Sequence, residues 1–114
     1  MPHTEPIRSL MLQLMNTQFL FRQAVQRQLK ACGIEMTFEM LQIMARIWRT
    51  EGMNQQTLAH QTSKDKVSLT YLINNLEKKG WVTRREDPQD KRNRLIYLTP
   101  EGRQLRERVL PLLE

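Results

Sequence analysis

Residues 81–99 interrupt a sequence whose apolar residues otherwise recur with a helical period. "WVTRRE" and "RLIYLT" are rich in β-branched and aromatic residues, which predicts two short strands. "REDPQDKRNR" overlaps their inner ends; seven of its ten side chains are charged and none is apolar. Two residues suffice to join two strands. The sequence therefore predicts a long charged loop whose extra length serves contact with a partner.

A long amphipathic helix is predicted before this segment. Apolar side chains between residues 7 and 29 recur at steps of three and four, and Gly33 can end the helix. At 1.5 Å per residue such a helix is roughly 30–35 Å long, more than the core of a 114-residue domain requires. Part of its apolar stripe is therefore predicted to cover a second copy of the chain.

Three further helices are predicted from caps and apolar periodicity. Thr37 caps one with a buried face of Phe38, Leu41, Met44, Ala45, Ile47 and Trp48. Asn54 caps a short one that turns Leu58 and Ala59 inward. Asp65 caps one that ends at Gly80, with a core stripe of Leu69, Leu72, Ile73 and Leu76.

The last helix begins at "TPEG", with Thr99 as N-cap and Pro100 at the first helical position. The predicted class is mainly α with a small β-hairpin (α+β). The order of elements predicts one winged helix-turn-helix domain over residues 1–114, with a three-helix DNA-binding core plus wing over 37–98. The wing occupies 81–98, and residues 7–32 and 100–114 are predicted dimerisation helices.

Charge favours an anionic partner. The net charge is +6, and residues 63–94 hold nine Lys or Arg against five Asp or Glu. Such a balance is typical of proteins that bind nucleic acid or an anionic surface. Neither a secretory signal nor an apolar run of membrane-spanning length is recognisable, which predicts a cytoplasmic protein. The sequence shows no nucleophile paired with a base, and His3 and His60 have no companions at metal-ligand spacing. We therefore predict no enzyme activity, no metal and no cofactor.

The second helix of a helix-turn-helix enters the DNA major groove. Its polar positions here are Lys66, Ser68, Thr70, Tyr71 and Asn74, and the charged stretch that follows contributes the cations of the wing. We predict phosphate or minor-groove contacts for Arg84, Arg85, Lys91, Arg92 and Arg94.

Three motifs in order resemble the MarR-type transcriptional regulators: "LEKKG" at residues 76–80, Asp87-Pro88-x-Asp90-x-Arg92, and Leu98-Thr99-x-x-Gly102. The resemblance implies a homodimer that binds palindromic operators in double-stranded DNA, often as a repressor, and that a small molecule or an oxidant can release. It also implies that Asp90 orients Arg92 into the minor groove. Lys66, Val67, Ser68, Thr70 and Tyr71 would occupy the first turns of the recognition helix.

The same resemblance places an effector pocket between the dimerisation helices and the DNA-binding lobe, where Met11, Met15, Phe38 and Trp48 could contribute. The chain departs from the family in two respects: it stops before a further helix that members usually carry, and it has no cysteine early in the first helix. Two alternatives stay open from the sequence. One is a winged-helix module that binds a protein, and the other is a non-specific nucleic-acid binder.

Overall fold

The computed structural model describes residues 5–113, without the side chain of Leu113, so His3 lies outside the described residues. Its contacts divide the chain into two compact units, one that ends at Phe38 and one that begins at Glu39. The elements are α1 (Glu5–Ala31), α2 (Phe38–Arg49), β1 (Met53–Asn54), α3 (Gln55–Gln61), α4 (Lys66–Lys78), β2 (Val82–Asp87), β3 (Asp90–Leu98) and α5 (Pro100–Leu113). This order confirms the winged helix-turn-helix class; the division into a lobe and dimerisation helices stays a prediction.

Helix α1 accounts for most of the first unit and ends where the sequence predicts. Gly33 has a φ of 71°, which places it in the left-handed region. Its N–H donates to the Lys30 carbonyl at 3.0 Å, and the Ile34 N–H donates to the Leu29 carbonyl at 2.9 Å. These two bonds form a Schellman motif. Val25 and Leu29 are the buried residues of α1. Cys32, next to this helix end, is exposed.

The core of the second unit is formed by one side of each helix and the inner face of the sheet. Ala45 and Trp48, predicted on the buried face of α2, are exposed and half-buried respectively. They lie off the side of the helix that Ile43, Met44 and Ile47 share, and these three are completely buried. Other buried side chains from Glu39 onward are Met40, Leu41, Leu58, Leu69, Ile73, Leu76, Val82, Ile96, Leu98, Leu105 and Val109.

Three helices of the second unit begin with the side-chain caps that the sequence predicts. The Asn54 amide oxygen accepts from the Thr57 N–H at 2.7 Å, and the Asp65 carboxylate accepts from the Ser68 N–H at 2.6 Å. The Thr99 hydroxyl accepts from the Gly102 N–H at 3.0 Å. Each cap satisfies a backbone donor that has no partner inside its helix, so these starting points follow from local chemistry.

The turn between α3 and α4 uses a residue that the sequence does not mark as special. Ser63 has a φ of 54°, a conformation that L-residues other than glycine adopt at a cost. The Ser63 N–H donates to the His60 carbonyl at 3.3 Å, and the Lys64 N–H donates to the Ala59 carbonyl at 3.0 Å. The turn is thus a second Schellman motif with serine in the position that glycine usually takes.

The sheet has three antiparallel strands in the order β1-β3-β2, and β1 was not predicted. The prediction of a long charged loop was wrong. β2 continues through Asp87 and β3 begins at Asp90, so only Pro88 and Gln89 form the turn. Backbone pairing does not depend on side-chain charge when both faces of a hairpin meet solvent. The charged stretch is therefore the outer half of a projecting hairpin.

The hairpin is irregular near its tip. Glu86 pairs with Arg94, but the next residue, Asp87, pairs with Asp90. The pairing therefore skips three residues of β3, namely Lys91, Arg92 and Asn93. Such a bulge bends the strand and redirects its side chains. Two of the wing's cations therefore lie on backbone that the ladder does not constrain.

The start of α5 packs against the base of the wing and is hydrogen-bonded to it. A Cβ built on Gly102 would lie 2.1 Å from the Trp81 carbonyl oxygen, so only glycine fits at this position. The Trp48 indole N–H donates to the Gly102 carbonyl at 3.0 Å. The Glu51 carboxylate accepts the Leu98 N–H at 2.9 Å, and an Arg103 nitrogen lies 3.1 Å from each carboxylate oxygen. The Leu98 bond is the main cause that lowers the pKa of Glu51.

No helix among the described residues is long and apolar enough to cross a lipid bilayer.

Candidate nucleic-acid interface

Helix α4 presents a continuous exposed side. Leu69, Ile73 and Leu76 turn inward and are completely buried. The other side carries five of the six predicted recognition residues, all exposed: Lys66, Val67, Ser68, Tyr71 and Asn74. Asp65 caps the helix at its first turn, and the Ser68 N–H that it accepts is the main cause that lowers the pKa of the Asp65 carboxyl. The Asp65 carboxylate therefore stays ionised at neutral pH and stabilises the first turn of α4.

Thr70, the sixth predicted residue, is half-buried between α3 and α4. Its hydroxyl donates to the Lys66 carbonyl at 2.8 Å and accepts from the Gln55 side-chain amide at 2.8 Å. These bonds link the first turn of α3 to α4. Nothing in the sequence singled out Gln55, because its partner is 15 positions away. Thr70 thus helps to hold α3 against α4, and its contact with a DNA base stays a prediction.

The cations of the wing lie on two different faces of the hairpin. Directly paired residues share a face, so Arg84 lies with Ile96 and Arg94 lies with Glu86 on the face that turns inward at the base. Arg85 pairs with Leu95 on the opposite face, where its guanidinium lies 4.6 Å from the centre of the Tyr97 ring. The sequence grouped these arginines together, and the pleat separates them.

Arg84 is the least exposed of the wing cations. Its side chain is 19% exposed, and its Nη1 lies 3.1 Å from Glu77 Oε1. Because Glu77 belongs to the last turns of α4, this ion pair ties β2 to the recognition helix. DNA contact by Arg84 and Arg85 remains a prediction, and both already contact other side chains of the protein.

Arg92 and Asp90 lie together at the wing tip. The Asp90 carboxylate accepts the Arg92 N–H at 3.0 Å. The Arg92 Nε lies 3.9 Å from the same oxygen, and the Arg92 side chain is 96% exposed. An exposed ion pair of this length is weak. Asp90 therefore constrains the backbone of the bulge more than it constrains the guanidinium, and neighbouring Lys91 is also exposed.

A groove separates the wing tip from α3 and the first turns of α4. We call it the wing groove; its volume is about 350 Å³. Three cations and three amide side chains line it, and no carboxylate among the described residues does. Its lining residues are Gln55, Gln56, Ala59, Lys66, Leu69, Arg92, Asn93 and Arg94. The three amides could not be singled out from the sequence because glutamine and asparagine carry no charge that distinguishes them from other polar residues.

The residues predicted for an effector pocket are found in varied surroundings. Met11 and Met15 are exposed on α1. Phe38 is buried and meets the Phe21 ring edge-on, with 5.9 Å between ring centres. Trp48 donates its indole N–H to α5, as described above, and borders a groove of about 570 Å³ that Arg46, Arg49 and Arg106 also line. The effector pocket stays a prediction.

The exposed side of α4, its cap, the preceding short helix and the adjoining cationic hairpin define a winged helix-turn-helix protein. Comparison with known proteins narrows this class. The MarR family model matches residues 37–93, half of the 114-residue chain. The chain belongs to the MarR family.

Several known regulators are similar to this chain. The HTH-type transcriptional regulator SarZ of Staphylococcus saprophyticus is 36% identical over 73 residues, which are 64% of this chain and 50% of SarZ. The transcriptional repressor MprA of Escherichia coli K12 is 31% identical over 85 residues, 75% of this chain and 48% of MprA. The chain thus spans about half the length of these relatives.

Solved structures share the fold. AbfR of Staphylococcus epidermidis superimposes with a TM-score of 0.87 at 25% identity, covering 99% of this chain and 76% of AbfR. Reduced AbfR bound to DNA gives a TM-score of 0.87 at 25% identity, covering 97% of this chain and 76% of that one. The likeness therefore includes α1, which lies outside the part matched by the family model.

Proposed function

We propose that this protein is a cytoplasmic, non-catalytic transcriptional regulator that binds palindromic operators in double-stranded DNA as a homodimer and acts as a repressor. One observation carries the proposal: the exposed side of α4 and the cationic wing tip flank a single groove, and within residues 5–113 no carboxylate lines it. SarZ and MprA are named as regulators of transcription, and AbfR has been solved on DNA.

The wing groove suits the path of a DNA strand. With α4 in a major groove and the wing in the adjacent minor groove, the sugar-phosphate backbone between the two grooves must pass between α4 and the hairpin. Lys66, Arg92 and Arg94 supply positive charge along that path, and the amides of Gln55, Gln56 and Asn93 supply neutral donors. Phosphate contacts of this kind fix register on the duplex and make binding depend on salt.

The apolar surface of α1 supports the homodimer. Nine large apolar side chains between residues 7 and 21 are each more than half exposed on this 27-residue helix. Contiguous apolar patches on a protein surface usually mark an interaction site. A second copy covering these side chains would give a dimer with two α4 helices, and half-sites about one helical turn apart would match them. Light scattering at fixed concentration should give twice the 13.6 kDa of one chain.

The test begins with selection of bound sequences from a random DNA pool. Fluorescence anisotropy then measures affinity for the enriched site and for a scrambled site over a series of salt concentrations. Arg94→Ala removes one charge from each half of the dimer, so it should weaken binding and reduce the slope of log affinity against log salt by roughly two units. Arg49→Ala is the matched control because Arg49 is exposed on α2, outside the wing groove, and loses the same charge.

Two outcomes would contradict the proposal. If no sequence is enriched and both DNAs bind equally, the protein is a non-specific nucleic-acid binder. If neither DNA binds at low salt, the winged helix serves a protein partner instead. Equal losses for Arg94→Ala and Arg49→Ala would assign the wing groove only a diffuse electrostatic effect.

A further inference from the structure

Two apolar side chains are exposed on the recognition helix. Val67 is 81% exposed and Tyr71 is 67% exposed. Within the described residues from Glu39 onward, no other large apolar side chain reaches such exposure; the remaining ones lie on α1. Val67 and Tyr71 are four residues apart, so they are neighbours on one side of α4. They line a shallow groove with Glu39, Lys64, Ser68 and Leu72.

The position of this pair limits what it can meet. Both residues lie in the first two turns of α4, on the exposed side that also carries Lys66 and Ser68. The valine side chain has no atom that can donate or accept a hydrogen bond. The major-groove edges of the bases offer hydrogen-bonding groups and one apolar group, the C5 methyl of thymine. Lys64 of the same groove and the adjacent Lys66 outnumber the one carboxylate there, Glu39, so the charge around the apolar pair favours a thymine-bearing duplex over an apolar protein surface.

We propose that Val67, with the ring of Tyr71 beside it, contacts thymine C5 methyl groups in the major groove, so that the operator must carry thymine at the contacted position of each half-site. This inference rests on the DNA-binding function proposed above and adds the base identity that α4 requires. The hydroxyl of Tyr71 stays available for a polar base edge or a phosphate.

The expected effect follows from the burial of one methyl group. Burial of a methylene-sized group contributes about 0.8 kcal/mol, and about 1.4 kcal/mol corresponds to a tenfold change in affinity. Removing a single contacted methyl should therefore lower affinity by about fourfold. A homodimer on a palindrome makes the contact twice. Removing both methyls should therefore lower affinity by about 15-fold.

Deoxyuridine provides the test because it lacks the C5 methyl and keeps every hydrogen-bonding atom of thymine. The enriched operator is resynthesised with deoxyuridine at one thymine position at a time, symmetrically in both half-sites, and affinities are measured by anisotropy. Wild type should lose affinity at one or two positions of each half-site. Val67→Ala should bind the thymine and deoxyuridine operators equally at those positions, whereas Val67→Ile should keep the difference.

Asn74→Ala is the matched variant, since Asn74 lies on the same exposed side of α4. It should retain the preference for thymine over deoxyuridine even if its overall affinity changes. Thermal unfolding should show that Val67→Ala folds as wild type does, because an exposed side chain contributes little packing.

The inference fails if the enriched half-site contains no thymine, if wild type ignores deoxyuridine at every position, or if Val67→Ala keeps the full preference. Those results leave DNA binding itself intact, because a sequence has been enriched. If no sequence is enriched, the proposed function and this inference fail together.

Discussion

Replacing Gly102 by alanine should destabilise the protein although it improves helix propensity. Alanine in a helix interior is favoured over glycine by roughly 0.5–1 kcal/mol. Here the new Cβ would lie 2.1 Å from the Trp81 carbonyl oxygen and 3.0 Å from its carbonyl carbon. Carbon and oxygen ordinarily approach to about 3.3 Å. The start of α5 would therefore have to move by about 1 Å.

That movement disturbs hydrogen bonds on both sides of Gly102. The Trp81 carbonyl accepts the Thr99 N–H at 3.1 Å, and the Gly102 carbonyl accepts the Trp48 indole N–H at 3.0 Å. Forced overpacking costs roughly 1–3 kcal/mol, and an unsatisfied donor costs roughly 1–3 kcal/mol more. After the gain in propensity, we expect a net loss of about 2–4 kcal/mol in the free energy of unfolding.

Urea unfolding followed by tryptophan fluorescence measures this loss. Both tryptophans of the chain, Trp48 and Trp81, contact Gly102, so the signal reports the affected junction. The urea midpoint should fall while the dependence of the free energy of unfolding on urea concentration stays unchanged. The protein concentration is held fixed because the stability of a dimer depends on it. Gln104→Ala, an exposed change in the same helix, should leave the midpoint in place. A Gly102→Ala protein as stable as wild type would refute the packing argument.

Three other perturbations test separate parts of the structure. Hydrogen bonding to Leu98 and pairing with Arg103 lower the pKa of Glu51, so the ionised carboxylate stabilises the folded protein fully above the ordinary pKa of 4.5. This stabilisation is lost as pH falls through the lowered pKa. Glu51→Gln should therefore flatten this part of the profile of unfolding temperature against pH, and an unchanged profile would contradict the assignment. Ser63→Gly should raise the free energy of unfolding by roughly 0.5–1 kcal/mol, because the strain energy removed at this left-handed position exceeds the entropic cost of glycine in the unfolded chain. A lower urea midpoint would show that serine is not strained there. Asp90→Ala should weaken operator binding although it removes a negative charge, because the carboxylate holds the Arg92 N–H in the bulge; tighter binding in anisotropy would mean that only net charge matters.

The helix boundaries could be predicted because their determinants are local. Asn54, Asp65 and Thr99 each bond to an N–H three residues ahead, so a short window of sequence contains both partners. Gly33 likewise ends α1 through contacts within the preceding turn. Ser63 is the exception at the same range, because a serine in the left-handed region carries no signal that separates it from any other serine.

The family and the class of fold also followed from the sequence. The three motifs indicated a winged helix-turn-helix of MarR type, and the family match and fold agree. What those motifs do physically was not evident from them. Gly102 is required because the Trp81 carbonyl leaves no room for a Cβ. The two residues are brought together by the pairing of Val82 with Leu98 and by the turn from β3 into α5.

The site itself depends on pairings between distant residues, which only the tertiary structure decides. Gln55 reaches Thr70 across the helix-turn-helix, and β1 joins a strand that begins more than 30 positions later. The sequence alone concentrated positive charge between residues 63 and 94. The register of β2 against β3 then distributed it: Arg84 to Glu77, Arg85 to Tyr97, and Arg92 and Arg94 to the wing groove. Strand pleat and register assign each side chain to a face, and neither is determined until the strands have paired.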